Sequence, residues 1–503
     1  SAFTGYILKL IQFFVSIVTL PIIISSLGKV QYGILVLIGQ TVGFLAMSDI
    51  GVSNSVGRFF SKYYALNNTS KIQEVVNTAF FLLLITTIII LSITFLIHDC
   101  IPTWLNISDE YAEITKLLFI INGLFLALMF PTRIGQGILS GKQMYSTINL
   151  ILSLVPIIQF FGIIILYKSN ILGLIELAFL TLGASLLAQI IFIVIAFSKI
   201  KFLTISKIYF SKSMARKILS LGSSSLITSL SSILVSQGLI IAVGILTSTI
   251  TAGIYGVVIM IVTNISFILT KISQPILTMS SELVARKKHD QLNNLIFFLM
   301  RFSLMLSILI SSSLFFFIED LLKILLTFNW DLKDYTMASK AIILMSVAMS
   351  IGIPQFVSRA VMQGAGLHWN ASIGKVIASI IAFSTGIVLM WYEFGLIGAS
   401  IGWSLIWILP GIFYFPTRIA KFMKIKTKKM LKDVYLPGIY LGLLLVLVGY
   451  IFKEYFGHFG LYEIIMCQSI LLILALVIIF LYDKKYILEI EIIKSVLIFL
   501  DKK

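Results

Sequence analysis

Residues 77–97 read NTAFFLLLITTIIILSITFLI. The stretch holds no charged residue, whereas Lys71 and Glu74 precede it and His98 and Asp99 follow it. A helix of about 20 such residues covers a hydrocarbon layer of roughly 30 Å. Hydrocarbon offers no hydrogen-bond partners, so the segment must satisfy its backbone internally, as only a helix does. A barrel strand would be shorter and would alternate apolar with polar positions. One segment of this kind places the chain in a membrane, and its recurrence decides the fold.

Comparable runs fall at 5–27, 32–56, 113–136, 147–167, 171–197, 217–246 and 252–277. Others follow at 293–317, 338–363, 371–391, 395–415, 434–452 and 463–482. With 77–97 they predict about 14 transmembrane helices in an all-α integral membrane protein. The composition agrees, with 59% hydrophobic and 12% charged residues, where a soluble domain carries about 25% charged. A mean hydropathy of +1.06 spreads the apolar residues over nearly the whole chain. The first run continues into the multi-span pattern and reads as a span rather than a cleaved leader. Beyond Asp483, Ile487, Ile490, Ile493, Val496, Leu497 and Leu500 recur at helical spacing among charges. This tail reads as an amphipathic interfacial helix.

The net charge of +17 is placed to orient spans, not to bind nucleic acid. With the N-terminus cytoplasmic, the inner connections carry Arg58, Lys62 and Lys71, then Arg133 and Lys142, then the basic residues of 199–217. They continue with Lys271, Arg286–Lys288, Arg301, Arg359, Lys375 and the basic residues between 418 and 432. The outer connections hold Asp99, Asp109, Glu110, Glu113, Glu319, Asp320, Asp331 and Asp334 instead. This alternation predicts both termini inside, because positive loops stay on the cytoplasmic face. Some of the charge also favours anionic lipid surfaces.

An internal repeat divides the spans. Tyr32-Gly33 recurs as Tyr255-Gly256, Pro131 as Pro354 and Gly141 as Gly364, at a constant offset of 223 residues. Each pair falls at the same place in a six-span period, so the two copies share one orientation, with a pseudo-twofold axis along the membrane normal. The expected domains are an N-lobe at 1–198 (spans 1–6), a cytoplasmic linker at 199–216, a C-lobe at 217–417 (spans 7–12), and spans 13–14 with the amphipathic tail at 418–503.

Charged and polar groups inside spans are costly and mark candidate sites. Gly5, Lys9, Gln12, Ser16 and Thr19 form one polar stripe along span 1, and Gln40, Gly43, Met47, Gly51, Asn54 and Arg58 follow similar spacing in span 2. In the repeat, Ser225, Ser229, Ser232 and Ser236 share a face of span 7, and Asn264, Lys271 and Gln274 lie on span 8 with Thr263, Ser266, Thr270 and Ser273. These faces either line a water-filled cavity or, being rich in small residues, pack helices closely. Lys9 either faces that cavity or snorkels to the surface a turn or two away. Arg58, Arg133, Lys271, Arg301 and Arg359 sit near cytoplasmic ends, where they set topology or make a vestibule positive enough for a diphosphate.

Embedded acids are sparse. Asp49 lies toward the inner end of span 2 and reads as a partner for a nearby base or a helix cap, with ion coupling as the second reading; Glu176 lies near the outer end of span 6. The histidines His98, His289, His368 and His458 are scattered, Cys100 and Cys467 lack metal or redox spacing, and no phosphate-binding loop is present. The chain is expected to be a transporter rather than an enzyme and to carry no cofactor or metal.

The stretch Ala46-Met47-Ser48-Asp49-Ile50-Gly51-Val52, followed by Arg58 and Tyr63-Tyr64-Ala65, resembles a signature of O-antigen-type polysaccharide flippases. These belong to the multidrug/oligosaccharidyl-lipid/polysaccharide exporter superfamily. Leu27-Gly28 with Tyr32-Gly33, and Ala252-Gly253-Ile254-Tyr255-Gly256, resemble its two lobe signatures; Pro131 through Gly141-Lys142-Gln143 is similar to its span 4 exit. Many relatives carry an acidic residue in mid-span 7, where this chain has Ser236-Gln237-Gly238.

The resemblance implies translocation of an undecaprenyl-diphosphate-linked glycan, such as an O-antigen unit of lipopolysaccharide biosynthesis, from the inner to the outer leaflet by alternating access. It implies a bacterial inner membrane location, Na+ or H+ as candidate coupling ions, and polysaccharide polymerase and chain-length proteins as candidate partners. Head-group contacts would fall to Lys9, Gln12, Gln40, Asn54, Arg58, Arg133, Asn264, Lys271, Gln274 and Arg359. The alternatives are a cation-coupled small-molecule exporter of the same superfamily and a membrane glycan polymerase or glycosyltransferase. The latter needs a large outer loop that these short connections do not provide.

Overall fold

The computed structural model describes residues 2–49, 51–271, 274–286, 289–326, 330–456, 462–464, 466–475 and 477. Helices account for nearly all of them, and no strand occurs among the described residues. Among the described residues, eleven helices are long and apolar enough to cross a membrane. Two of these are broken midway, at Gly28 and at Tyr392-Glu393, which raises the crossings they supply to thirteen. The fourteenth expected span coincides with an apolar helix at Tyr462–Ala475; the amphipathic tail lies outside the described residues. Large apolar side chains face outward, with Leu96 78%, Ile165 63% and Leu443 65% exposed. Such a surface suits lipid, not water.

The described residues form two compact units divided between Gly256 and Val257. The first holds α1 (Ala2–Leu45), α2 (Val52–Ala65), α3 (Thr69–Ile97), α4 (Ile101–Trp104), α5 (Ala112–Gly141), α6 (Tyr145–Lys168), α7 (Leu174–Lys199), α8 (Lys212–Ser236), α9 (Gly238–Leu246) and the start of α10 (Thr249–Lys271). The second holds the rest of α10, α11 (Gln274–Ala285), α12 (His289–Leu325), α13 (Leu332–Gly352), α14 (Pro354–Gly364), α15 (His368–Leu389), α16 (Gly395–Ile408), α17 (Phe415–Met423) and α18 (Thr427–Phe456).

In the first unit, α1 turns at Gly28, whose φ of 73° lies in the left-handed region that favours glycine. Five residues later a Cβ on Gly33 would run into the Thr249 carbonyl, so the two backbones touch there. The sequence suggested one span over 32–56. The structure instead ends it in a 3-10 turn at Ala46–Asp49, and Gly51 with φ 67° starts the separate helix α2. A left-handed residue cannot continue an α-helix. α2 buries Val52, Val56 and Phe60 against the protein and exposes Arg58 and Lys62. It crosses α5 closely, since a Cβ on Gly141 would lie 2.8 Å from the Gly57 carbonyl oxygen.

The segment after α7 turns at 200–203, runs without helix over 204–206 and enters a 3-10 turn at Lys207–Tyr209, and side chains of α3 hold it. The Asn77 amide donates to the Thr204 carbonyl (2.9 Å) and accepts from the Ser206 N–H (2.6 Å). Gln73 donates to the Phe202 carbonyl and accepts from the Thr204 N–H (3.2 Å), and Thr78 accepts from the Ser211 N–H (3.0 Å). The turns leave other backbone groups of the segment without a partner of their own, and these three buried residues pair them. Ser211 then caps α8 through Met214 N–H, and Ser55 donates to the Ile218 carbonyl (3.2 Å).

The second unit repeats part of this plan within itself. α11 stands where the offset places α2, it packs on α14, and Ser281 donates to the Gly364 carbonyl (3.1 Å). Between α12 and α13 a group of buried serines pairs: Ser350 meets Ser307 (3.0 Å) and Ser311 (2.6 Å), and Ser311 donates to the Ser346 carbonyl. Pro410 lies in the wide turn Leu409–Tyr414 that leads from α16 into α17; proline cannot supply the helical N–H. α18 packs along α12, with Leu441 and Leu445 buried beside Met305, Leu309 and Cys467.

Candidate functional site

Lys9 sits near the start of α1, half-buried between buried Leu8 and exposed Leu10. Gln12 is also half-buried, and its carbonyl accepts from Ser16 Oγ at 2.7 Å. Thr19, expected on the same polar stripe, is buried, and its hydroxyl returns to the Val15 carbonyl at 2.7 Å. Lys9 and Gln12 therefore form the polar head of an otherwise self-satisfied face. Gln40 lies half-buried beyond the Gly28 turn, on the other half of α1.

The turn at Gly51 separates the remaining first-unit candidates from Gln40. Arg58 belongs to α2 and is exposed; the Asn54 side chain lies outside the described residues. Two candidates do come together. Arg133 of α5 reaches Asp49 with Nη1 3.5 Å from Oδ2, both side chains being largely covered. Asp49 Oδ1 accepts from the Ser53 N–H at 3.2 Å, and the Arg133 guanidinium lies over the Phe130 ring at 4.5 Å. Asp49 thus caps α2 and ties it to α5, two residues beyond Pro131.

In the second unit, Asn264 is half-buried and donates to the Met260 carbonyl at 2.8 Å. The side chains of Lys271 and Gln274 lie outside the described residues. Arg359 of α14 is half-buried with its guanidinium 5.8 Å from the Phe356 ring centroid, and it stands within electrostatic range of Lys375 on α15. Among the described residues, no group of three histidine, cysteine or acidic side chains could hold a metal ion.

Sequence reasoning missed two arrangements. One is the Gln73–Asn77 clamp, whose only signal was a pair of amides four apart at the head of a span. The other is Gln237, at the junction of α8 and α9 where relatives were expected to be acidic. Its carboxamide lies on Gly43, so close that a Cβ there would stand 2.8 Å from Nε2.

Charged and amide groups partly covered within long apolar helices that expose hydrocarbon define a multi-pass, all-helical membrane protein. The chain belongs to the polysaccharide biosynthesis protein family, whose model matches residues 2–283. Its fold is similar to that of the lipid II flippase MurJ in an inward closed conformation, at a TM-score of 0.74 and 14% identity over 97% of this chain and 99% of that one. It is also similar to an inward-facing multidrug resistance MATE family transporter of the MOP superfamily, at 0.68 and 14% identity over 86% and 99% of the two chains. At such identity these likenesses concern the fold. No curated protein matches the chain.

Proposed function

We propose that the protein is a flippase that moves an undecaprenyl-diphosphate-linked glycan, a repeat unit of a surface polysaccharide such as O-antigen, from the inner to the outer leaflet of a bacterial cytoplasmic membrane by alternating access. Both termini face the cytoplasm in this reading, and 1–198 and 217–417 are its two lobes. The observation that carries it is the family match, which spans the half-buried Lys9 and Gln12 and the Asp49–Arg133 joint. The fold likeness to a lipid II flippase supports a lipid-linked substrate. Lys9 and Arg133 of the first unit, and separately Lys271 and Arg359 of the second, are candidate cations for a diphosphate, which Arg binds bidentately.

The likeness to a MATE transporter favours a second reading, a cation-coupled small-molecule exporter. Asp49 suits that role poorly, because Arg133 and the Ser53 N–H occupy its carboxylate. The discriminating experiment is rescue of polysaccharide display in a flippase-null strain supplied with several matched glycan pathways. Restored display is expected. Failure with every glycan, despite correct membrane insertion, would overturn the flippase reading.

A further inference from the structure

The chain passes from α17 to α18 through a strongly charged joint. The seven Lys and Arg residues between 418 and 432 are all exposed, and no acid occurs from Phe415 to Lys432. On the opposite side Phe415, Ile419, Ala420, Met423 and Met430 are buried, so the helix is anchored by its apolar face and holds its cations outward. Lys424 takes a left-handed conformation, φ 58°, as the C-cap of α17, which turns the chain sharply and gathers the charges of both helices.

Asp433 directly follows the run, but a single acid does not balance seven cations. None of the seven forms an ion pair among the described residues; Arg418 lies over the Tyr414 ring at 5.4 Å. α14, which packs on α17, carries no acid and adds Arg359; the turn Leu409–Tyr414 carries no charge. Like charges held this close repel, so the arrangement is most stable beside an external anion.

The surroundings identify that anion. The joint lies at the ends of two candidate spans, Ser372–Met423 and Thr427–Tyr455. Directly beyond it the surface is hydrocarbon and aromatic: Phe413, Ile439, Tyr440 and Leu443 are each more than half exposed. Cations bordering a lipid-facing apolar belt match the head and acyl chains of one amphiphile, with Tyr at the interface between them. We propose that the α17–α18 joint is a binding surface for the head groups of anionic phospholipids of the surrounding bilayer. It is independent of the transported substrate.

The test uses the full chain in vesicles of phosphatidylcholine containing a minor fraction of spin-labelled phosphatidylglycerol. Wild type should enrich the anionic lipid at its boundary over labelled phosphatidylcholine, and raised salt should abolish the enrichment. The variant with Lys421, Lys424, Lys428 and Lys429 all changed to Gln should lose about tenfold or more in relative affinity, since interfacial cations attract anionic head groups within a Debye length. A control variant with Lys199, Lys201 and Lys207 changed to Gln should keep the enrichment. Equal retention of both lipids by wild type, or undiminished enrichment in the fourfold variant, would overturn the proposal. So would displacement of the lipid by inorganic pyrophosphate, which would make this a soluble-phosphate site. If the fourfold variant fails to fold, the salt series and pyrophosphate competition on wild type still decide.

Discussion

Replacing Asn77 with Ala should release the segment between α7 and α8 without disturbing α3. Asn77 is fully buried, and its carboxamide makes two hydrogen bonds to that segment, at Thr204 and Ser206. A net hydrogen bond contributes about 1 kcal/mol, so the gross loss is about 2 kcal/mol. Thr204 is exposed, so water recovers part of this once the segment lifts. A local destabilisation of about 1.4 kcal/mol remains, a tenfold rise in the open population. Lys201 and Lys207 flank the clamp and offer tryptic sites. When reclosing is fast, cleavage follows the open population, so limited proteolysis of the detergent-solubilised variant should cut there about ten times faster. Thr78→Ala, which removes only the bond from Ser211, should give a smaller increase. Unchanged cleavage in both variants would refute the clamp.

Other consequences are as direct. Gly33→Ala should lower the thermal unfolding midpoint in detergent, at a cost of roughly 1–3 kcal/mol, because the Thr249 backbone cannot yield to a Cβ; an unshifted midpoint would remove the close approach. For Asp49 and Arg133, a double-mutant cycle with Asn and Gln should give a coupling of about 1 kcal/mol, the range for a partly covered pair; zero coupling would make their 3.5 Å approach incidental. Lys9→Ala should impair polysaccharide display at normal expression, and full display would return Lys9 to a surface-snorkelling role.

The spans were legible because a run such as 77–97 admits one physical solution in lipid. The site was less so. The polar spacing from Gln40 to Arg58 looked like one helical face because periodicity assumes an unbroken helix, and Gly51 breaks it. Gln73 and Asn77 gave no hint of their partners, which lie about 130 residues further along the chain. The approach of Asp49 to Arg133 likewise needed the packing of α2 on α5, which no local pattern encodes.

The clamp on α3 also shows how a duplicated scaffold constrains its own growth. The repeat offset carries Gln73 and Asn77 onto Ile296 and Met300, both buried, on the helix α12 against which α18 packs. In the first copy an outgoing non-helical chain arrives with some amides unpaired and needs polar receptors. In the second copy the outgoing chain is already a helix with its amides spent internally, and hydrocarbon receives it without loss. The two halves are therefore non-equivalent at this seat. Exchanging the residues would bury two amides in the apolar surroundings of α12 and leave the first copy's connector held by Thr78 alone of the three α3 side chains.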